Sequence, residues 1–250
     1  RRRGLLMTLL ALDVGNTDTT IGLFEGATLA ASFVVASDER RTADEWFLVL
    51  DGSLDRPDLP DISAVRMCCT VPSIAVQLRH AHRRYFTGVP VWVVGPGVKT
   101  GVQIHTDNPK EVGTDRVVNA LAAKELYGGP AIVVDLNGTA TVFDVIDQRG
   151  NYVGGSIAPG VELSLEALSR RSAQLRSVEL VAPRDVIGKN TVEAVQSGTV
   201  FGFAGLVDGI VGRIIESLGV DPDHVTVVAT GSHADAVIDL CDTVTTRDPT

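Results

Sequence analysis

The 250-residue sequence has little cysteine, few aromatic residues and no excess of positive charge. Its three cysteines are Cys68, Cys69 and Cys241. An odd count with two of them adjacent makes neither a disulfide framework nor a metal-ligand spacing, and it suits buried or incidental thiols in a reducing cytoplasm. A net charge of −9 argues against a nucleic-acid binder, which needs a basic face; no dense Lys/Arg stripe appears outside Arg1–Arg3 and the scattered Arg79, Arg83 and Arg84. The five histidines (His80, His82, His105, His224 and His233) have no ligand spacing, and no Ser-His-Asp or Cys-His arrangement is legible. No segment is expected to span a membrane, which takes roughly 20 apolar residues. Arg1–Arg3 followed by an apolar run imitates a signal peptide. That run stops at Asp13 without a small-residue cleavage pattern, so a buried central strand is expected instead, with Met7 as a candidate start.

What is present is an ordinary globular balance, 44% hydrophobic and 21% charged, in a chain long enough to bury its core without disulfide or metal staples. The informative feature is an internal repeat. Near the N-terminus an apolar strand ends in Asp13-Val14-Gly15-Asn16-Thr17, followed by an apolar run, the turn Glu25-Gly26 and a second apolar run. Near the middle an apolar strand ends in Asp135-Leu136-Asn137-Gly138-Thr139, followed by an apolar run, the turn Arg149-Gly150 and another apolar run.

Periodicity predicts strands at 7–14, 19–25, 28–36, 63–70 and 90–95 and helices at 42–51 and 73–86 in the first half. A helix at 115–126 leads to strands at 131–136, 140–146, 152–158 and 224–229. Helices are expected at 161–172 and 191–218, and a short one from about 232. The order βββαβα, twice, is the pattern of a duplicated ribonuclease-H-like (actin-like ATPase) α/β fold. Two domains, 1–114 and 115–250, are expected around a central cleft on which the two strand-end carboxylates converge.

The Asp13–Thr20 turn has the composition of a phosphate cradle. Gly15 permits close backbone approach, while Asn16, Thr17, Asp18, Thr19 and Thr20 supply short polar groups and N–H donors. Asp13 is placed to bind Mg²⁺, which prefers one or two carboxylates plus phosphate oxygens. A plain hairpin turn accounts for the same residues taken alone. In Gly113-Thr114-Asp115-Arg116 an acid and a base stand together at a helix start. Asp115 suits a general base and Arg116 a bidentate partner for a carboxylate or phosphate, although a dipole-favoured acid beside a solvated arginine gives the same dipeptide. Gly188-Lys189-Asn190-Thr191 suits a helix-terminus anion site or simple capping. Gly154–Gly160 suits close backbone approach or a strand-to-helix corner.

Taken together, Asp13–Thr17, Asp107–Arg116, Gly138–Thr141, Gly154–Gly160, Gly188–Thr191 and Ala229–Gly231 resemble the type III pantothenate kinases, over about residues 9–248. The resemblance implies phosphorylation of pantothenate by ATP at the start of coenzyme A synthesis. It assigns ATP phosphates and Mg²⁺ to the turn from Asp13 and Val14 to Thr20. Pantothenate falls to Gly113, Thr114, Asp115 and Arg116, with Asp115 as proton acceptor and Arg116 near the substrate carboxylate. Asp135 matches the residue that holds an activating monovalent cation, K⁺ or NH₄⁺, and Gly138 and Thr139 match ATP contacts. Thr191 would complete the pocket of the partner subunit in a cytoplasmic homodimer. The chain departs from the family pattern at Val142 and Ser232, and Asn137 makes the second turn one residue longer than the usual Asp-Phe-Gly-Thr. The two turns are therefore expected to differ in geometry. A second reading follows from these departures, in which the chain is a kinase-fold homologue with impaired catalysis that acts as a regulatory or accessory protein.

Overall fold

A computed structural model describes residues 7–54, 61–95, 98–137, 139–171, 178–231 and 235–248. The chain divides into two compact units. One takes the described residues up to Val98 together with Gly113–Asp115; the other takes Lys99–Val112 and everything from Arg116 on. Residues 99–112, which the expected boundary assigned to the first half, group with the second. Their ties there are a bridge from Ile104 to Tyr152 and hydrogen bonds from His105 N–H to Tyr152 O (2.8 Å) and from Tyr152 N–H to Gln103 O (2.9 Å).

In the first unit, β1 (Thr8–Val14), β2 (Asp18–Glu25) and β3 (Thr28–Ala36) form an antiparallel meander. Then follow α1 (Ala43–Leu54), β4 (Ala64–Cys69), α2 (Pro72–Tyr85) and β5 (Val91–Val93). The sheet order is β3-β2-β1-β4-β5, with β4 and β5 parallel to their neighbours. Leu10, Leu12, Val14 and Ile21 pack with Trp46, Leu50, Met67, Ile74 and Leu78 in one core, so α1 and α2 bury their apolar stripes on the sheet.

Helix α3 (Thr114–Leu126) leads into the second unit: β6 (Ala131–Asp135), β7 (Ala140–Ile146), β8 (Tyr152–Pro159), α4 (Val161–Arg171), α5 (Thr191–Leu218), β9 (Thr226–Thr230), α6 (Asp235–Ile238) and β10 (Thr246–Arg247). Its sheet order is β10-β9-β6-β7-β8. Each strand has the position and direction of its counterpart in the first sheet: β6–β7 and β7–β8 are antiparallel, and β6–β9 and β9–β10 are parallel. The repeat read from the sequence is a repeat of topology, and the fold is a duplicated ribonuclease-H-like one. The turns Glu25-Gly26 and Arg149-Gly150 serve the same hairpin in each half, and both glycines take the left-handed backbone such turns require (φ 64° and 76°).

Helix α5 is long and apolar enough to cross a membrane by length and composition alone, a test that core helices also pass. Within the second unit that apolarity has a use. Val200, Phe203, Ala204, Val207, Val211 and Ile215 recur at helical spacing and pack with Ile132, Val134, Phe143 and Val227 of the sheet. Asn190 caps the helix by accepting from Glu193 N–H (2.9 Å), and Glu193 in return accepts from Lys189 N–H (2.9 Å).

Candidate active site

The first candidate turn grows out of the end of β1. Strand register sets Asp13 opposite Thr20 of β2 and Cys68 of β4. Gly15 N–H donates to Asp18 O (2.9 Å), and a Cβ on Gly15 would lie 3.1 Å from that oxygen, so the turn closes tightly on a residue without a side chain. Val14 is wholly buried in the core, and its carbonyl accepts from both the N–H and the hydroxyl of Thr70 (3.0 Å each). Thr19 is also buried and bonded to the Ser37 hydroxyl (2.8 Å). Of the residues read as a phosphate cradle, Asp13, Asn16 and Thr17 are the exposed ones, while Val14 and Thr19 shape the turn from within.

Asp13 is reachable by solvent but recessed, and that setting pushes its carboxyl pKa up to about 6. Partial desolvation is the main cause. The Asp115 carboxylate adds repulsion, and a hydrogen bond from the Cys68 thiol opposes both. Asp115 belongs to the first turn of α3, where the helix dipole favours a carboxylate. Thr114, one residue earlier, hydrogen-bonds the Cys68 thiol, and its hydroxyl lies 3.5 Å from Cys69 O. The structure thus gathers Asp13, Thr114 and Asp115 around Cys68, a residue that composition alone reads as incidental. Burial pushes the Cys68 thiol up to about 12, Asp13 adds to the shift, and the sulfur stays a protonated donor. Its signal in the sequence was its place at the end of the strand parallel to the one that ends in Asp13.

The second turn has the same construction. Asp135 ends β6, paired with Val142 of β7 and Thr230 of β9. Six residues separate Asp13 from its partner Thr20, and six separate Asp135 from Val142. Measured against the first hairpin, Asn137 is therefore no insertion, and the expected mismatch between the two turns is corrected by their equal register. Asp135 Oδ1 accepts from Asn137 N–H (3.0 Å) and Oδ2 lies 3.4 Å from Asn119 Nδ2. Gly231 backs this turn with φ 106°; a Cβ there would come within 2.8 Å of the Leu136 carbonyl carbon and 2.9 Å of Asn137 N. Thr139 is exposed, with its carbonyl accepting from Gly160 N–H (2.9 Å). Gly138 and Ser232 lie outside the described residues.

Arg116, read as a free cationic head, is engaged. Its Nε–H donates to Asp144 Oδ1 at 2.7 Å, and the Asp144 side chain is 0% exposed. The guanidinium carbon lies 5.6 Å from the centroid of the buried Tyr152 ring. Nη2 is buried without a hydrogen-bond partner among the described residues, 2.9 Å from where a Gly155 side chain would begin. Gly155 is thus a close backbone approach, chiefly to the Phe143 carbonyl oxygen, 1.8 Å from where its Cβ would be, and secondly to Arg116 Nη2. Thr191 is exposed at the start of α5, and Gly188 lets its loop lie against the helix, since a Cβ there would be 2.4 Å from Ala194 N. Among the described residues, no three or more His, Cys, Asp or Glu gather into a metal site of protein ligands alone.

These features coincide with a known family. A family model described as type III pantothenate kinase matches residues 9–213. The chain is 57% identical over 243 residues to a type III pantothenate kinase from Thermobifida fusca, covering 96% of this chain and 94% of that protein. A relative of the same name from Streptomyces coelicolor is 53% identical over 247 residues, covering 96% of this chain and 93% of that protein. Among solved structures, a protein described as a Baf family transcriptional activator from Campylobacter jejuni matches with a TM-score of 0.57 at 17% identity, covering 96% of this chain and 90% of that one. Its identity is low enough that it speaks to the fold alone. The fold, the repeat and the full-length similarity agree, and the chain belongs to the type III pantothenate kinase family.

Proposed function

We propose that this chain is an ATP:pantothenate 4′-phosphotransferase, transferring the γ-phosphoryl group of ATP to the 4′-hydroxyl of pantothenate in the first step of coenzyme A synthesis. The observation that carries the reading is the proximity of Asp13 and Asp115, two carboxylates close enough that one raises the pKa of the other. Phosphoryl transfer needs a carboxylate for metal-bound phosphate and another for the acceptor's proton, with little further covalent chemistry from the protein. The reading as a regulatory or accessory homologue is not favoured. Relatives of more than 50% identity over nearly the whole chain carry the kinase name, and the second turn that motivated that reading matches the first in length.

Asp115 accepts the proton of the pantothenate hydroxyl as general base. Gly113, Thr114 and Arg116 hold pantothenate, with Arg116 toward the carboxylate. The Asp13–Thr20 turn holds the ATP phosphates through backbone N–H groups and the exposed Asn16 and Thr17. Asp13 fits Mg²⁺, being one recessed carboxylate under repulsion from a second, a setting that a divalent cation relieves. Bound Mg²⁺ supplies neutralisation of phosphate charge. Asp135 fits K⁺ or NH₄⁺ with an oxygen-rich turn held by Asn137 and Asn119, and Gly138 and Thr139 contact ATP. Thr191 of the partner subunit completes the substrate pocket in a homodimer. Supporting this, Thr191 is exposed and only 28% of the most apolar window of α5 is buried within the chain. The free thiols of Cys68, Cys69 and Cys241 suit a reducing cytoplasm. The test is release of ADP from ATP with Mg²⁺ and K⁺ present, dependent on pantothenate and lost in Asp115→Asn.

A further inference from the structure

The pantothenate reading gives Arg116 a carboxylate to bind but leaves open what orients its guanidinium. We propose that Asp144 is a positioning residue for pantothenate recognition: it holds the Arg116 head, through Nε, in the orientation that meets the substrate carboxylate. The inference rests on the assignment of that carboxylate to Arg116.

Three contacts define the head. Asp144 accepts from Nε at 2.7 Å with a side chain that is 0% exposed, so the anchor is a charge-assisted bond shielded from water. The guanidinium carbon lies over the Tyr152 ring, 5.6 Å from its centroid, where the ring face favours the cation. Gly155 clears both the Phe143 carbonyl oxygen and Nη2; a Cβ there would lie 1.8 Å from the first and 2.9 Å from the second. Asp144 and Gly155 are cross-strand neighbours in β7 and β8, so one register supplies both the anchor and the clearance. Nη2 is buried and has no hydrogen-bond partner among the described residues.

A freely hydrated arginine would lose rotamer freedom on binding substrate, whereas a head already fixed by Asp144 loses little. The bond therefore contributes to affinity for the carboxylate end of pantothenate and contributes little to ATP binding or to the proton transfer at Asp115.

The test is a set of steady-state measurements on Asp144→Asn and Arg116→Ala with pantothenate and with pantothenol, in which an alcohol replaces the carboxylate. In Asp144→Asn, KM for pantothenate should rise about tenfold or more, while KM for ATP, kcat and kcat/KM for pantothenol each stay within about twofold. Equal losses for pantothenate and pantothenol, or a loss confined to kcat, would overturn the proposal and leave Asp144 a structural residue. If Arg116→Ala raises KM for pantothenate and Asp144→Asn does not, the positioning role fails while the carboxylate assignment stands. If Arg116→Ala leaves that KM unchanged, the assignment itself fails and the proposal with it. Should Asp144→Asn not fold, Tyr152→Leu removes a different wall of the same head; it should raise KM for pantothenate by about threefold or more without changing kcat/KM for pantothenol, and an unchanged KM for pantothenate would overturn the proposal.

Discussion

Asp13 and Asp115 repel one another across the end of β1 and the start of α3. The Asp13 carboxyl is pushed up to about 6, chiefly by desolvation and secondly by repulsion from Asp115. Asp115→Asn should therefore lower the Asp13 pKa without returning it to 3.8, since the larger cause remains. An NMR titration of the Asp13 carboxyl measures this directly. An unmoved pKa would mean that the two groups do not interact.

The same shift has a sign for stability. An acid whose pKa is raised by folding is disfavoured in the native state once ionised, so Asp13 weakens the free protein above about pH 6 and has no such effect below 3.8. Asp13→Asn should stabilise the metal-free protein at pH 7.5 while losing Mg²⁺-dependent activity. Solvent access keeps the gain to about 1 kcal/mol. Urea denaturation at pH 7.5 and pH 4 checks it: the advantage should shrink as the pH falls, and an advantage that grew toward pH 4 would contradict the assignment.

Gly231 backs the second turn in a backbone conformation that a side chain resists, with Leu136 and Asn137 in the way of a Cβ. Gly231→Ala should cost about 1–3 kcal/mol of stability. It should also displace the turn that carries Asp135, so the concentration of K⁺ giving half-maximal activity should rise several-fold. A destabilised variant with unchanged K⁺ dependence would separate Asp135 from the cation.

The capping box of α5 is a local matter. Asn190→Ala leaves Glu193 N–H without its acceptor and should cost about 1 kcal/mol. For a chain of this size that is a Tm lower by about 2–4 °C, read by calorimetry. The KM for ATP should not move, since the Asp13 turn is untouched.

Much of this was legible in the sequence because strands that end in the same Asp-to-Thr turn fold the same way. The two meanders, both long turns and the helix from Thr114 were readable from apolar runs and turn residues. Three features were not. The two-residue strand Thr246–Arg247 has no pattern of its own and exists only by pairing with β9. The register that sets Asp135 opposite Val142, as Asp13 stands opposite Thr20, comes from strand pairing and has no local signal. The surroundings of Arg116 join residues 28 and more apart in sequence, and nothing local in Asp144, Tyr152 or Gly155 announces a shared partner. Cys68 was misleading for a related reason: apolar neighbours make it read as a core thiol, while parallel pairing sets it beside Asp13.

The central claim is that Asp115 removes a proton from pantothenate as ATP phosphorylates it. The direct measurement is pantothenate-dependent ADP release by the purified protein and by Asp115→Asn, with Mg²⁺ and K⁺ present. The account predicts turnover that requires pantothenate and a kcat lower by about 10²–10⁴-fold in the variant, with pantothenate still bound. Turnover that Asp115→Asn leaves intact, or ADP release indifferent to pantothenate, would contradict it.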